Sequence, residues 1–547
     1  PPRSTLFPYT TLFRSDNPHR STVTVYPDPA FAETRRKERR DALDSLERGF
    51  SENEKTELRR TAEALRLSQD SADGDGARDS IPMLLRSDIP EEIEIIPRLS
   101  ADAAGAAASL HPVFTNGIVY ADFAFPLTDL SEPELCLFPL LARFVSGAGL
   151  PGRSYAEVSR ELARTAGGFH VLLQAATPVG NPPSSPSAWM VFRLKALEEQ
   201  FPAALDLAAS LMTEPDFGDG KRLADLLAEL ANDMTSAIVP SGSSFAAARA
   251  AASFSRAQGM EELWRGLSQF LYLSDLRAEP DPDLLASRLS RLLRSAVRRE
   301  GLRVNLTAGP EALDTARKGV EAALGRVPPG AGGFGSAEQP AAAAVSRGAP
   351  PERFEAWSLP TQVGFSAACL RASPIGTSGF AHEQALGHLL STGFLWDEVR
   401  VKGGAYGASA WTDGSESTFS FSSYRDPAPN ASLAAYRRAL ESVAGDGLDR
   451  DVLERAVVGA AGRDLRPMMP EEKGFIDFKR ELYGVTDGMR RKKRADLLGL
   501  SPEDLQKAAE RLLAGWDDRT EVLISHGDDI ESMKRERPAL SVRQLQL

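Results

Sequence analysis

Histidine and cysteine are scarce in this chain: six histidines and two cysteines among 547 residues. Cys136 and Cys369 are too few for a disulfide framework or a thiolate metal cluster. Both sit among apolar neighbours and read as buried free thiols. Long apolar runs are missing as well. Nothing approaches the roughly 20 residues of a membrane span, so a soluble protein with no membrane partner is expected. A basic surface is also lacking. Lys and Arg number 64 against 76 Asp and Glu, a formal net charge of -12, which argues against nucleic acid or an anionic lipid surface as partner. The one basic run, Arg490 to Arg494, reads as a solvated helix face.

Two catalytic strings are absent. There is no G-x-S-x-G elbow for a serine hydrolase, and Cys369, in an apolar strand without an adjacent base, is no better a nucleophile. There is also no H-x-x-E-H, in which two histidines four apart share a helix face around a zinc ion. The nearest string is HEQALGH, with His382, Glu383 and His388. Its histidines are six apart, hence about 120° apart around a helix, and cannot both ligate one ion. They read as structural, and no metal site is visible in the chain.

What remains is an ordinary globular composition, with 26% charged and 42% hydrophobic residues. The length exceeds the roughly 250 to 300 residues of a single core, so two or three units are expected. Residues 1–15, PPRSTLFPYTTLFRS, can be read back codon by codon as a common sequencing adaptor, and are expected to be a non-native tail. Residues 16–30 hold a strand signal at Thr22 to Tyr26, expected to be the last strand of a truncated preceding domain. The natural N-terminus is then missing, which leaves the compartment open. Residues 31–91 read as a helical hairpin linker, with helices near Glu33–Arg48 and Glu52–Gln69. Ser51 and Glu54 form a capping box there, and Leu58, Ala62 and Leu65 an apolar stripe.

The segment 92–309 alternates in blocks: strands at Ile118–Leu127, Gly168–Ala176, Ala188–Leu197 and Leu302–Thr307, helices at Glu199–Thr213, Lys221–Ile238 and Asp283–Arg299. Capping boxes at Ser131/Glu134 and Ser154/Glu157 open further helices. Blocks rather than strict alternation favour an α+β domain, a mixed or antiparallel sheet with helices on one face. Residues 310–352 hold a helix and a Pro/Gly/Ala linker. A second α+β domain runs over 353–547, with strands Gln362–Ala372, Thr418–Arg425 and Glu521–Ser525 and a helix at Gly379–Ser391. The two domains look like copies. TAGGFHVLLQAA in the first matches KGGAYGASAW in the second, and Arg164 and His170 repeat the six-residue spacing of Arg400 and Tyr406.

The stretch Trp396 to Ala410, WDEVRVKGGAYGASA, carries the chemistry. Arg400 and Tyr406 flank Gly403-Gly404. In an extended segment an even separation puts both donors on one face, and glycines allow a sharp turn or a close backbone approach. A surface arginine, a core tyrosine and a tight turn would produce the same string. The stretch resembles the second-half signature of the presequence-protease branch of the pitrilysin family, the inverted-motif zinc peptidases. The resemblance extends from Asp16 onward, through the hairpin and the paired domains. It implies the C-terminal half of a zinc metalloendopeptidase that degrades short unfolded peptides in a closed chamber. Arg400 and Tyr406 would stabilise the transition state, Gly403 and Gly404 would contact substrate, and zinc would be held by the missing N-terminal half, with none bound by this chain. The alternative is a non-catalytic scaffold or binding subunit of the same fold.

Overall fold

The structure, a computed structural model, describes residues 21, 23, 24, 26, 28, 30–70, 80–128, 130–278, 281–330, 352–445 and 448–545. It divides into a unit ending at Met83 and a unit from Leu84 onward. The first holds helices Phe31–Gly49 and Glu52–Asp70. Ser51 donates to Glu54 from its amide (2.8 Å) and its hydroxyl (2.7 Å), which closes the expected capping box. Leu58 and Leu65 of the expected stripe stay exposed within this unit. The expected strand Thr22–Tyr26 does not form over its described residues, Val23, Thr24 and Tyr26, which have no ladder partner; Thr22 and Val25 lie outside the described residues. Residues 71–79 of the expected hairpin linker and 331–351 of the expected Pro/Gly/Ala linker also lie outside them.

The second unit is built on two six-stranded mixed sheets. The first contains β1 (Leu99–Ala103), β2 (Ala106–Pro112), β3 (Ile118–Pro126), β4 (Gly168–Ala176), β5 (Ser187–Leu197) and β6 (Arg303–Ala308) in the order β1-β2-β6-β3-β5-β4. The second contains β7 (Phe354–Ser358), β8 (Gly364–Arg371), β9 (Gly407–Asp413), β10 (Thr418–Asp426), β11 (Thr520–Ser525) and β12 (Ser541–Gln544) in the order β12-β7-β11-β8-β10-β9. Five strands correspond one to one. In each sheet the first of the five pairs parallel with the last in sequence, and the other pairings are antiparallel. Only the edge strands differ: β1 is antiparallel to β2, whereas β12 is parallel to β7. This is the α+β class read from the sequence. β4 and β9, the matched Gly-Gly strands, occupy the same place in the two sheets.

Each sheet packs its own helices on one face, and the opposite face is covered by a helix from the other domain. Helix Gly242–Ala251 lies on the second sheet, where Phe245, Ala246 and Ala250 meet Phe365, Ala367, Val522 and Ile524. A Cβ on Gly242 would come within 2.4 Å of the Phe365 ring, so the approach needs glycine there. In return, helix Pro470–Leu482 lies on the first sheet, with Phe475 and Phe478 against Ala124 and Val191. A polar chain runs beneath it: Asp477 to His111 (3.0 Å), His111 to Asn305 (2.8 Å), Asn305 to Asp122 (2.7 Å) and Arg193 to Asp122 (2.6 Å).

Arg490 to Arg494 is not a solvated face throughout. Arg494 is buried and donates to the Pro90 carbonyl at 2.6 Å, and Arg490 donates to that of Glu94 at 2.9 Å. The run ties down an extended segment whose carbonyls have no ladder to accept from. Cys136 and Cys369 are buried free thiols, both pushed up to about 12 by burial. Among the described residues no helix is long and apolar enough to cross a membrane.

A charged triad sits at the seam between the domains. Arg249 donates to both oxygens of Glu355 at 2.8 Å, and Glu262 lies 3.6 Å from the same guanidinium. All three are buried. For Glu355 burial pushes the carboxyl up, but the Arg249 guanidinium, the Glu352 amide and the Trp357 indole N–H together hold it below the usual range. The second acid has no such bond, and burial pushes Glu262 up from 4.5 to about 7 despite Arg249. A raised carboxyl binds its proton more tightly in the folded state, so its contribution to stability is full below pH 4.5 and is lost as pH rises through about 7. Glu262→Gln should therefore gain stability relative to wild type across that window in urea unfolding at stepped pH. A difference independent of pH would mean that Glu262 stays charged.

Candidate functional site

Arg400 does not lie in an extended segment. Helix Ser378–Thr392 ends at Gly393, and Trp396–Lys402 forms a π-helical turn instead. The period-two argument for a shared face therefore fails. Leu395 and Val399 anchor the turn in the core, each nearly without exposure. The chain leaves it through a widened helix end: Gly404 donates to the Arg400 carbonyl (3.0 Å) and Ala405 to that of Val399 (3.1 Å). Each bond spans one residue more than in the usual glycine-terminated helix end, as the wider π-turn requires. Gly404 takes the left-handed conformation at φ 79°, and a Cβ on Gly403 would lie 2.6 Å from the Val399 carbonyl oxygen. The pair is needed for the turn itself.

The reversal brings Arg400 and Tyr406 together by another route. The Arg400 guanidinium lies 3.9 Å from the centroid of the Trp396 ring and 5.9 Å from that of Tyr406. Tyr406 stands edge-on to Tyr424, centroids 5.7 Å apart at 83°. Its amide donates to the carbonyls of Tyr424 (3.1 Å) and Arg425 (3.3 Å), where β10 bulges and Arg425 takes φ 47°. Bulges of this kind re-aim side chains at sheet ends. Tyr406 is 67% exposed and is no core tyrosine. Among the described residues the Arg400 guanidinium has neither ion pair nor hydrogen bond; Glu398, in the same turn, is taken by Lys402. A cation held over an indole with its N–H groups free, beside an exposed phenol, can offer several donors to an acceptor. The sequence reading assigned nothing to Trp396 or Tyr424. The signal available was an aromatic residue four positions before the arginine.

The histidine string behaves as a packing element. His388 fills the notch at Gly459, where a Cβ would fall 1.8 Å from its Nε2. Glu383 is fully buried, accepts the Ser373 amide at 2.9 Å and is ion-paired with Arg511. Burial holds both His382 and His388 below the usual imidazole range. Among the described residues no group of three or more His, Cys, Asp or Glu side chains is placed to hold a metal ion, so these residues do not fit a zinc site. Of the counterpart pair, Arg164 lies in the last turn of helix Tyr155–Thr165 and His170 lies in β4 opposite Arg193.

The geometry gives a test. Gly404→Ala should cost about 1 to 2 kcal/mol for a left-handed Cβ. Gly403→Ala should cost more, because a backbone carbonyl cannot yield without opening the turn. Urea unfolding measures both, and wild-type stability in Gly403→Ala would contradict this account of the turn.

Residues 25–276 match the family model for the region associated with subfamily C of the M16 peptidases, and residues 355–525 match the PreP C-terminal domain. Together they cover well over half of the chain. Presequence protease 1, chloroplastic/mitochondrial, of Arabidopsis thaliana is 29% identical over 528 residues, covering 95% of this chain and 48% of that protein. The mitochondrial presequence protease of Xenopus tropicalis is 25% identical, covering 90% of this chain and 50% of that protein. The chain thus spans about half the length of the curated relatives it matches. Among solved structures, a protease from Helicobacter pylori aligns with a TM-score of 0.56 at 12% identity, over 79% of this chain and all of that one. A peptidase M16 inactive domain from Pseudomonas fluorescens aligns with a TM-score of 0.56 at 16% identity, over 79% of this chain and 98% of that one. These two likenesses concern the fold alone. With both family models and the curated relatives in agreement, the chain belongs to the presequence-protease branch of the M16 peptidases.

Proposed function

We propose that this chain is the C-terminal half of a zinc metalloendopeptidase acting on short unfolded peptides, and that Arg400 and Tyr406 are its contribution to the reaction. The observation that carries this reading is the Arg400 guanidinium, stacked on Trp396 with no carboxylate partner among the described residues and next to an exposed tyrosine hydroxyl. A cation meant only for solubility needs no such platform. A guanidinium and a phenol this near one another suit a peptide carbonyl that gains negative charge as its carbon becomes tetrahedral. Gly403 and Gly404 serve this pair by building the turn, and their backbone is open to a substrate strand. The zinc of the full-length protein would be held outside the described residues, by the N-terminal half in a chamber closed over the peptide. The chain's own residues bind and orient the carbonyl.

A second reading is a non-catalytic scaffold of the same fold. The fold likeness to a domain described as inactive favours it. The two part on mutation. In the enzyme assembled with its zinc-binding half, Arg400→Ala and Tyr406→Phe should each lower kcat by about 10² to 10³, the loss expected for one oxyanion donor, with zinc content unchanged. A change confined to KM would mean uniform binding of substrate rather than transition-state stabilisation. Wild-type rates in both variants would support the scaffold.

A further inference from the structure

A polar cavity of about 430 Å³ lies where helix Gly242–Ala251 crosses β9 and β10. Ser409, Trp411 and Asp413 alternate along β9 and face it, as do Ser420 and Ser422 along β10. The next residue in the β10 row is Tyr424, whose ring touches Tyr406. The β10 row thus leads, along one sheet face, from the cavity to the Arg400 and Tyr406 pair. The cavity is far larger than the roughly 30 Å³ share of one water molecule, so it is not shaped for a bare ion.

Among the described residues, the buried side-chain atom of its lining that lacks a partner is an acceptor. Gln258 donates from Nε2 to Thr418 at 3.1 Å, which leaves its buried Oε1 without a donor. Asp413 accepts the amides of Ser415 (2.9 Å) and Glu416 (3.3 Å) and has no cationic partner among the described residues. Glu261 has Arg265 at 3.3 Å, and Arg265 also donates to the Leu173 carbonyl. Burial raises the carboxyls of both Asp413 and Glu261, and the Glu416 carboxylate beside them adds to this. Ala247, Ala248 and Trp411 supply an apolar path to this end. The ligand that satisfies such a lining has an aliphatic stem and a cationic donor at its tip.

We propose that the cavity is a side-chain pocket for a lysine or arginine of the bound peptide. The inference rests on the reading of Arg400 and Tyr406 as peptide-binding, since it follows the same peptide past them. At about 3.3 Å per extended residue, the row from Tyr406 to Asp413 places the basic residue roughly three to seven positions from the carbonyl those donors hold.

The test uses the chain itself and two fluorescently labelled unstructured peptides, identical except for lysine or norleucine at one position. In anisotropy titrations the lysine peptide should bind roughly tenfold tighter, the order of a hydrogen bond to a charged group. Asp413→Asn should abolish that advantage. Ala248→Phe, which fills the cavity from the opposite wall, should do the same, so one variant failing to fold leaves the other. Equal binding of the two peptides, no binding of the lysine peptide, or an advantage that survives both substitutions would overturn the proposal. Turnover losses in Arg400→Ala bear on the donor pair alone, because this comparison needs no catalysis.

Discussion

A mixed sheet with helices on one face leaves the other face, half apolar, to be covered. Here each domain covers the other's. Helix Gly242–Ala251 and helix Pro470–Leu482 exchange places across the seam, and both rely on glycine for close approach. This reciprocal burial fixes how the two sheets stand within the second unit, and other features follow from it. The Arg249–Glu355 pair is buried because the helix that carries Arg249 lies on the second sheet. Such a pair contributes little net stability but penalises any other registration of the domains strongly, since one partner left alone in the interior is costly. The cavity beside β9 and β10 is walled on its other side by the crossing helix, which packs closely on β8.

The donor pair depends on that frame at one remove. Helix Ser378–Thr392 packs against β9 so closely that a Cβ on Gly387 would lie 2.9 Å from the Ala410 carbonyl oxygen. The Ser391 hydroxyl accepts from the Ala410 amide at 2.8 Å while donating to the Gly387 carbonyl of its own helix at 2.6 Å. The free edge of β9 is thereby capped at its centre and does not invite another strand there. The helix leads into the π-turn, the turn into Gly403-Gly404, and the glycines set Tyr406 at the start of β9. Each link is a backbone constraint. An exposed tyrosine and an arginine without an acid partner among the described residues can therefore hold a defined relation with no salt bridge between elements.

Much of this was legible in the sequence, for physical reasons that differ from place to place. Strands β3, β4, β5, β8 and β10 announce themselves through β-branched and aromatic residues bounded by turn signals, and the capping boxes at Ser51, Ser131 and Ser154 mark helix starts. Helix Gly242–Ala251 was silent because it is buried on nearly every side, so GSSFAAARAA shows no polar face. Strand β2, AAASLHP, hides behind alanine for a similar reason. At the site, Arg400, Tyr406 and the glycines were named from their order in the chain, but the geometric argument was mistaken: a π-turn, not an extended strand, brings the donors together. The role of Trp396 could not emerge until the turn's width was known.

The central claim is that Arg400 acts through its guanidinium, held over the Trp396 ring. The most direct measurement is chemical rescue: turnover of an unstructured peptide by the assembled enzyme carrying Arg400→Ala, with and without added guanidinium ion. With Trp396 in place the ion should settle on the indole and restore part of the lost kcat. With Trp396→Leu added it should restore none. Rescue indifferent to Trp396, or no rescue in a variant that retains its fold and its zinc, would contradict the account.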